Sequence, residues 1–222
     1  MQENKRAWGP CLWKSNLSVS LDGTCSPRAI FQLIIEHRGQ NNVQENARKL
    51  SHFSKLFDTQ LLSDVQFVVQ WKSFSAHLAI LAAASPVMAA MFESGTSTKE
   101  INDVEPEVFE QVLRYLYTGV APQLKELTES LLVAADKFQI TDLKEECEVH
   151  LVSQLTMENV VQRLLLAHKH TAARLLDGSL EFLAVSHDEV WDRPEWKQLS
   201  EKHPDVFFSA TRKMCDKLKQ RT

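Results

Sequence analysis

Glycine is scarce in this chain, with 6 among 222 residues. So few glycines leave little backbone free to cradle a phosphate. No G-x-G-x-x-G, G-x-x-x-x-G-K-[ST], G-x-S-x-G or H-E-x-x-H occurs either. The four cysteines, Cys11, Cys25, Cys147 and Cys215, are scattered and include no C-x-x-C pair. Free thiols in a reducing compartment follow, the nucleus or the cytoplasm. An excess of basic charge is also missing: the net charge is −4, which argues against a nucleic-acid partner. The one basic cluster, Arg212, Lys213, Lys217, Lys219 and Arg221, reads as a solvated helix end. The longest apolar run, Leu78 to Phe92, is broken by Ser85-Pro86 and too short for a bilayer, so no membrane partner is expected. MQENKRAWGP at the N-terminus lacks the apolar centre of a signal peptide.

Enough apolar residues remain, 44%, to bury a core, with 24% charged residues to keep the surface wet. Residues 1–45 show little periodicity; only AIFQLIIE, Ala29 to Glu36, reads as a strand, and GQNNVQE reads as a polar linker. A helix is expected from about Asn46, where Leu50, Phe53, Leu56 and Phe57 make one apolar stripe. Val65 to Val69 and Lys72 to Ala76 read as a β-hairpin. Leu78 to Ala84 reads as a helix, and Ser85-Pro86 as the cap and first residue of the next. Ser94 to Lys99 reads as a loop. Glu105-Pro106 starts a helix that buries Val108, Phe109, Val112, Leu113 and Leu116 and stops at Gly119. Beyond it the chain reads as helical, with a repeat at an offset of 32: Leu132, Ala135, Lys137, Leu143 and Leu151 match Leu164, Ala167, Lys169, Leu175 and Leu183. Stacked helical hairpins are expected.

Little chemistry is on offer. Cys147, His150, His168 and His170 could be assembled on paper into a zinc site. The simpler reading makes Cys147 a buried apolar residue and the histidines solvated. A Cys147–His150 nucleophilic pair lacks an activating environment. His77, at a strand–helix junction, is expected to pack or to bond backbone groups. The expectation is therefore no catalytic residue, no metal, no cofactor and no enzyme.

Four segments carry a resemblance: LSDVQFVV, FSAHLAILAAASPVMAAMFE, EINDVEPEVFEQVLRYLYTG and LLVAADKFQITDLKEECE. In this order and spacing they resemble a BTB/POZ domain, and EINDVEPEVF is similar to the speckle-type POZ protein group. LTMENVVQRLLLAHKHTAARLL resembles that group's BACK-like helices. The resemblance implies an α+β BTB/POZ fold, a small sheet flanked by helical hairpins, followed by an all-α extension. The implied divisions are an irregular segment at 1–45, a BTB/POZ domain at 46–152 and a BACK-like region at 153–222. Residues 1–45 are too short for the group's substrate-binding MATH domain, though AIFQLIIE fits the last strand of a truncated copy. Leu78 stands where the family usually has Lys, and SGTSTK replaces the family's loop with its hydrophobic-x-Glu triplet. Met91-Phe92-Glu93 matches that triplet formally while belonging to the preceding helix.

The resemblance implies a homodimer, with Leu50, Phe53, Leu56, Phe57 and Ile80 at the two-fold contact. It also implies a cullin-3 N-terminal region as partner, faced by Met91, Phe92, Glu93, Tyr117 and Leu124, and an unknown substrate protein. Two functions are compatible with it. One is an adaptor between substrates and a cullin-3 ubiquitin ligase. The other is an oligomerisation module that does not bind cullin and pairs with full-length relatives.

Overall fold

The computed structural model describes residues 53–185 and 193–219, with side chains as far as 216. The chain divides into units 1–45 and 46–222, and all described residues fall in the second. The strand expected in AIFQLIIE and the interface position Leu50 lie outside the described residues. Helix α1 covers 53–59. Next come β1 (Val65–Val69), β2 (Lys72–Ala76), α2 (Leu78–Ala84), α3 (Pro86–Phe92) and β3 (Thr98–Ile101). Then follow α4 (Pro106–Thr118), α5 (Thr128–Lys137), α6 (Thr141–Ser153), α7 (Val160–Lys169) and α8 (Ala173–Val185). The last two helices are α9 (Pro194–Lys202) and α10 (Pro204–Lys219).

The sheet has the order β2-β1-β3, with β1 antiparallel to β2 and parallel to β3. Alternation along β1 buries Val65, Phe67 and Val69. Phe67 meets Phe92 of α3 and Phe109 of α4, ring centroids 5.2 and 5.0 Å apart, and Phe109 in turn meets Phe138 at 5.8 Å. These edge-on contacts fasten the helices to the sheet. The loop expected at Ser94 to Lys99 is shorter than its composition suggests. Thr98 and Lys99 belong to β3, because pairing with Gln66 and Phe67 of β1 supplies hydrogen bonds that a local reading does not see.

The helix signals hold. Ser85 caps α3, its Oγ accepting from the Met88 N–H at 3.1 Å with Pro86 following. Gly119 ends α4 at φ 68°, a conformation in which its N–H reaches the Tyr115 carbonyl.

The 32-residue offset is reproduced residue for residue. Shifting the bounds of α5 and α6 by 32 gives those of α7 and α8. Both turns place one residue in the left-handed region, Gln139 at φ 53° and Thr171 at φ 49°. Both close through the same backbone bond, Ile140 N–H to Ala135 O and Ala172 N–H to Ala167 O. The matched apolar positions Leu132, Ala135, Leu143 and Leu151 are buried, as are Leu164, Ala167, Leu175 and Leu183. Among the described residues no helix is long and apolar enough to cross a membrane.

Candidate interaction surface

The polar motif residues turn inward and hold the elements together. Asp64 accepts the Leu78 N–H at 2.7 Å and so caps α2 from a distance. The backbone N–H of His77 donates to the Tyr117 hydroxyl at 2.9 Å; His77 Nδ1 lies 2.8 Å from that hydroxyl and Nε2 lies 2.7 Å from the Leu61 carbonyl. A carbonyl only accepts, so Nε2 carries the proton and Nδ1 accepts from the tyrosine. Burial raises the Tyr117 hydroxyl above the usual phenol range, with the His77 N–H acting the other way. Ser85 Oγ, fully buried, donates to the Phe138 carbonyl at 2.6 Å. Apart from the contact to the Leu61 carbonyl, each of these bonds joins two of the four motif segments, so the motif spacing records the wiring of the fold.

Helix α1 behaves differently. Phe57 packs on the core, its ring 5.5 Å from Tyr117 and under the Arg114 guanidinium at 4.7 Å. Asp58 reinforces this attachment at 3.9 Å from Arg114. Phe53 is 42% exposed, while Leu56 and Ile80 are half-buried and outside the set of side chains packed on the core. The turn after α1 adds Leu61 and Leu62, 62% and 83% exposed. Gln60 and Leu62 hold φ 53° and 62°, costly for residues with a Cβ, and the His77 bond pins the Leu61 carbonyl between them. Ile80 sits just beyond, its N–H bonded to the His77 carbonyl. Phe53, Leu56, Leu61, Leu62 and Ile80 are thus apolar side chains that the core leaves partly or largely uncovered. The two leucines lie off the helical stripe, and the only local hint of them is LL set between polar residues.

The residues expected to face a cullin split into two groups. Phe92 and Tyr117 are core side chains, 5% and 1% exposed, so that expectation is corrected for both. Phe92 is held by the Phe67 ring, and Tyr117 by His77 and Phe57. Met91 is half-buried and lines an open apolar face of α3 with Pro86, Val87 and Ala90. Glu93 is exposed at the end of that helix. Leu124 is half-buried on a groove of about 550 Å³ with Asp142, Glu146 and Val149. Burial raises the Glu146 carboxyl, helped by the charge of Asp142 and opposed by a hydrogen bond from the Tyr115 hydroxyl at 3.2 Å.

The chemical alternatives find no assembled site. Cys147 is fully buried, and burial pushes its thiol up to about 12, far from a reactive thiolate. His168 is exposed, and His170 Nδ1 is bonded to Asp136 at 3.0 Å. Among the described residues no three His, Cys, Asp or Glu side chains are grouped to hold a metal ion.

The BTB/POZ domain family model matches residues 53–155. Residues 53–155 are a BTB/POZ domain. BTB/POZ domains are protein-interaction modules that self-associate and bind partner proteins. TD and POZ domain-containing protein 5 of Mus musculus is 38% identical over 159 residues, covering 68% of this chain and 47% of that protein. The chain thus spans about half the length of this curated relative. Among solved structures, the BTB domain of zebrafish PATZ1 is 27% identical, with a TM-score of 0.44, covering 50% of this chain and 94% of that one. The α+β architecture expected from the resemblance, a BTB/POZ fold with a helical extension, is the one observed.

Proposed function

We propose that this chain is a self-associating adaptor of the speckle-type kind, pairing across a two-fold axis through Phe53, Leu56, Leu61, Leu62 and Ile80. The observation that carries the reading is the exposure of Leu61 and Leu62 on a pinned, strained turn beside an incompletely covered helix. Two leucines left in water at a cost in backbone energy are best accounted for by a partner that covers them. A second copy offers the same surface, and a two-fold contact lets each protomer cover the other. A standard interface covers about 800 Å² on each side. Leu50 continues the stripe by sequence, and Phe57 is half-buried.

In this reading the BTB/POZ domain occupies 46–152 and BACK-like helices occupy 153–222. Met91, Glu93 and Leu124 face a cullin-3 N-terminal region, and a substrate protein is held elsewhere on the assembly. The recruited ligase supplies the chemistry, in the nucleus or the cytoplasm. The test combines light scattering with pull-down of a cullin-3 N-terminal fragment on the same sample. A dimer that retains the fragment at tens of micromolar supports the reading; a monomer refutes it.

A second reading keeps the self-contact and drops the cullin. It is favoured by the burial of Phe92 and Tyr117 and by the five-residue connection, 93–97, between α3 and β3. The chain then acts as an oligomerisation module that pairs with full-length relatives. A dimer that leaves the cullin fragment unbound selects this reading.

A further inference from the structure

The α7–α8 hairpin is divided between two cores. Ala167, Ala172 and Leu175, at its turn, are buried in the same cluster as Phe67, Phe109 and Leu143 of the BTB/POZ domain. Val160, Val161, Leu164, Leu180 and Leu183 are buried in a second cluster with Trp196 of α9 and Met214 of α10. Leu176 packs against both.

Polar ties follow the same junction. Glu148 of α6, 5% exposed, accepts the Leu175 N–H at 3.0 Å, so a buried carboxylate from one hairpin caps the helix of the next. Lys144 Nζ reaches Asp136 at 2.5 Å and the His170 carbonyl at 2.6 Å, while Asp136 also bonds the His170 ring. Arg163 of α7 pairs with Glu129 of α5 at 2.7 Å. At Gly178 the helices come so close that a Cβ would lie 2.7 Å from Val152 Cγ2.

We infer that the BTB/POZ domain and the helices beyond it form one cooperative mechanical unit, with the α7–α8 hairpin as the shared element. No hinge lies at 152/153, and the last BTB/POZ hairpin, α5–α6, is the first layer of the helical stack. A partner gripped at the α1 end and one gripped on α9–α10 are then held in fixed relation.

The test is peptide-resolved hydrogen exchange on the full chain and on Gly178→Val, whose side chain wedges α6 from α8. The expected result is that protection in α4 and in α9 falls by the same factor, at least tenfold, with β1 following. If α7–α10 lose protection while β1 and α4 keep theirs, the two parts are independent bodies and the inference fails. It also fails if nothing changes. Should Gly178→Val not fold, the paired variant Asp136→Asn with His170→Ala removes the polar tie instead, and the same comparison of α4 with α9 decides.

Discussion

His77 and Leu61 lie on either side of one hydrogen bond, yet they belong to opposite kinds of region. His77, Asp64, Tyr117 and Ser85 spend their polar groups on neighbouring elements, and every bond they make closes the fold. Leu61, Leu62 and Phe53 leave apolar surface in water although the core is close by. The first region is costly to alter because its polar groups are satisfied by fixed partners elsewhere in the fold, which a substitution leaves unpaired. The second is cheap to alter in the isolated chain and becomes costly only when a partner is present. Stability and function are thereby separated in space, over a distance of a few residues.

That separation can be broken or sharpened by substitution. The largest effect is expected at the centre of the wired region: Phe109→Ala should cost about 3–5 kcal/mol in urea unfolding, because its three aromatic contacts, with Phe67, Phe74 and Phe138, are lost. Tyr117→Phe leaves His77 without its hydroxyl partner and should cost about 1–3 kcal/mol by the same measurement. Replacing Gln139 or Thr171 by glycine relieves the left-handed turn of each repeat and should stabilise by up to about 1 kcal/mol. Equal gains at the two positions would show that the repeats are equivalent in energy as well as in backbone.

Acid gives a further contrast. Burial raises the Asp136 carboxyl, but hydrogen bonds from Lys144 and His170 outweigh it and hold the group below the ordinary range. A depressed folded-state value contributes stability that is present above the unfolded value and is lost as pH falls through the folded one. The chain should therefore lose stability below about pH 4. Asp136→Asn should flatten that part of the denaturation curve while leaving the α1 surface alone. The smallest effect on folding belongs to the bare region: Leu61→Ser with Leu62→Ser should stay within about 0.5 kcal/mol of the parent, yet weaken self-association at least tenfold by sedimentation.

Much of the wired region was legible in the sequence, and the reasons are local. Ser85-Pro86 announced a cap, Gly119 a stop, and the alternation in VQFVV a half-buried strand; each signal depends on neighbours along the chain. The offset of 32 was legible because stacked hairpins repeat the same burial, as Leu143 and Leu175 illustrate. What escaped was set by distant partners. Thr98 and Lys99 look like loop residues until β1 pairs with them. Phe92 and Tyr117 look available to a partner until Phe67 and His77 claim them. Leu61 and Leu62 carry no periodic signal, because a turn pinned by a histidine sixteen residues away decides where they point.

The proposed function requires the residues from Phe53 to Leu62 to join a second copy of this chain. The direct measurement is the mass in solution, by light scattering at micromolar concentration, of the parent chain and of Phe53→Asp with Leu56→Asp. Two chain masses for the parent and one for the folded variant are predicted. A parent of single mass, or a variant that keeps the double mass, would contradict it.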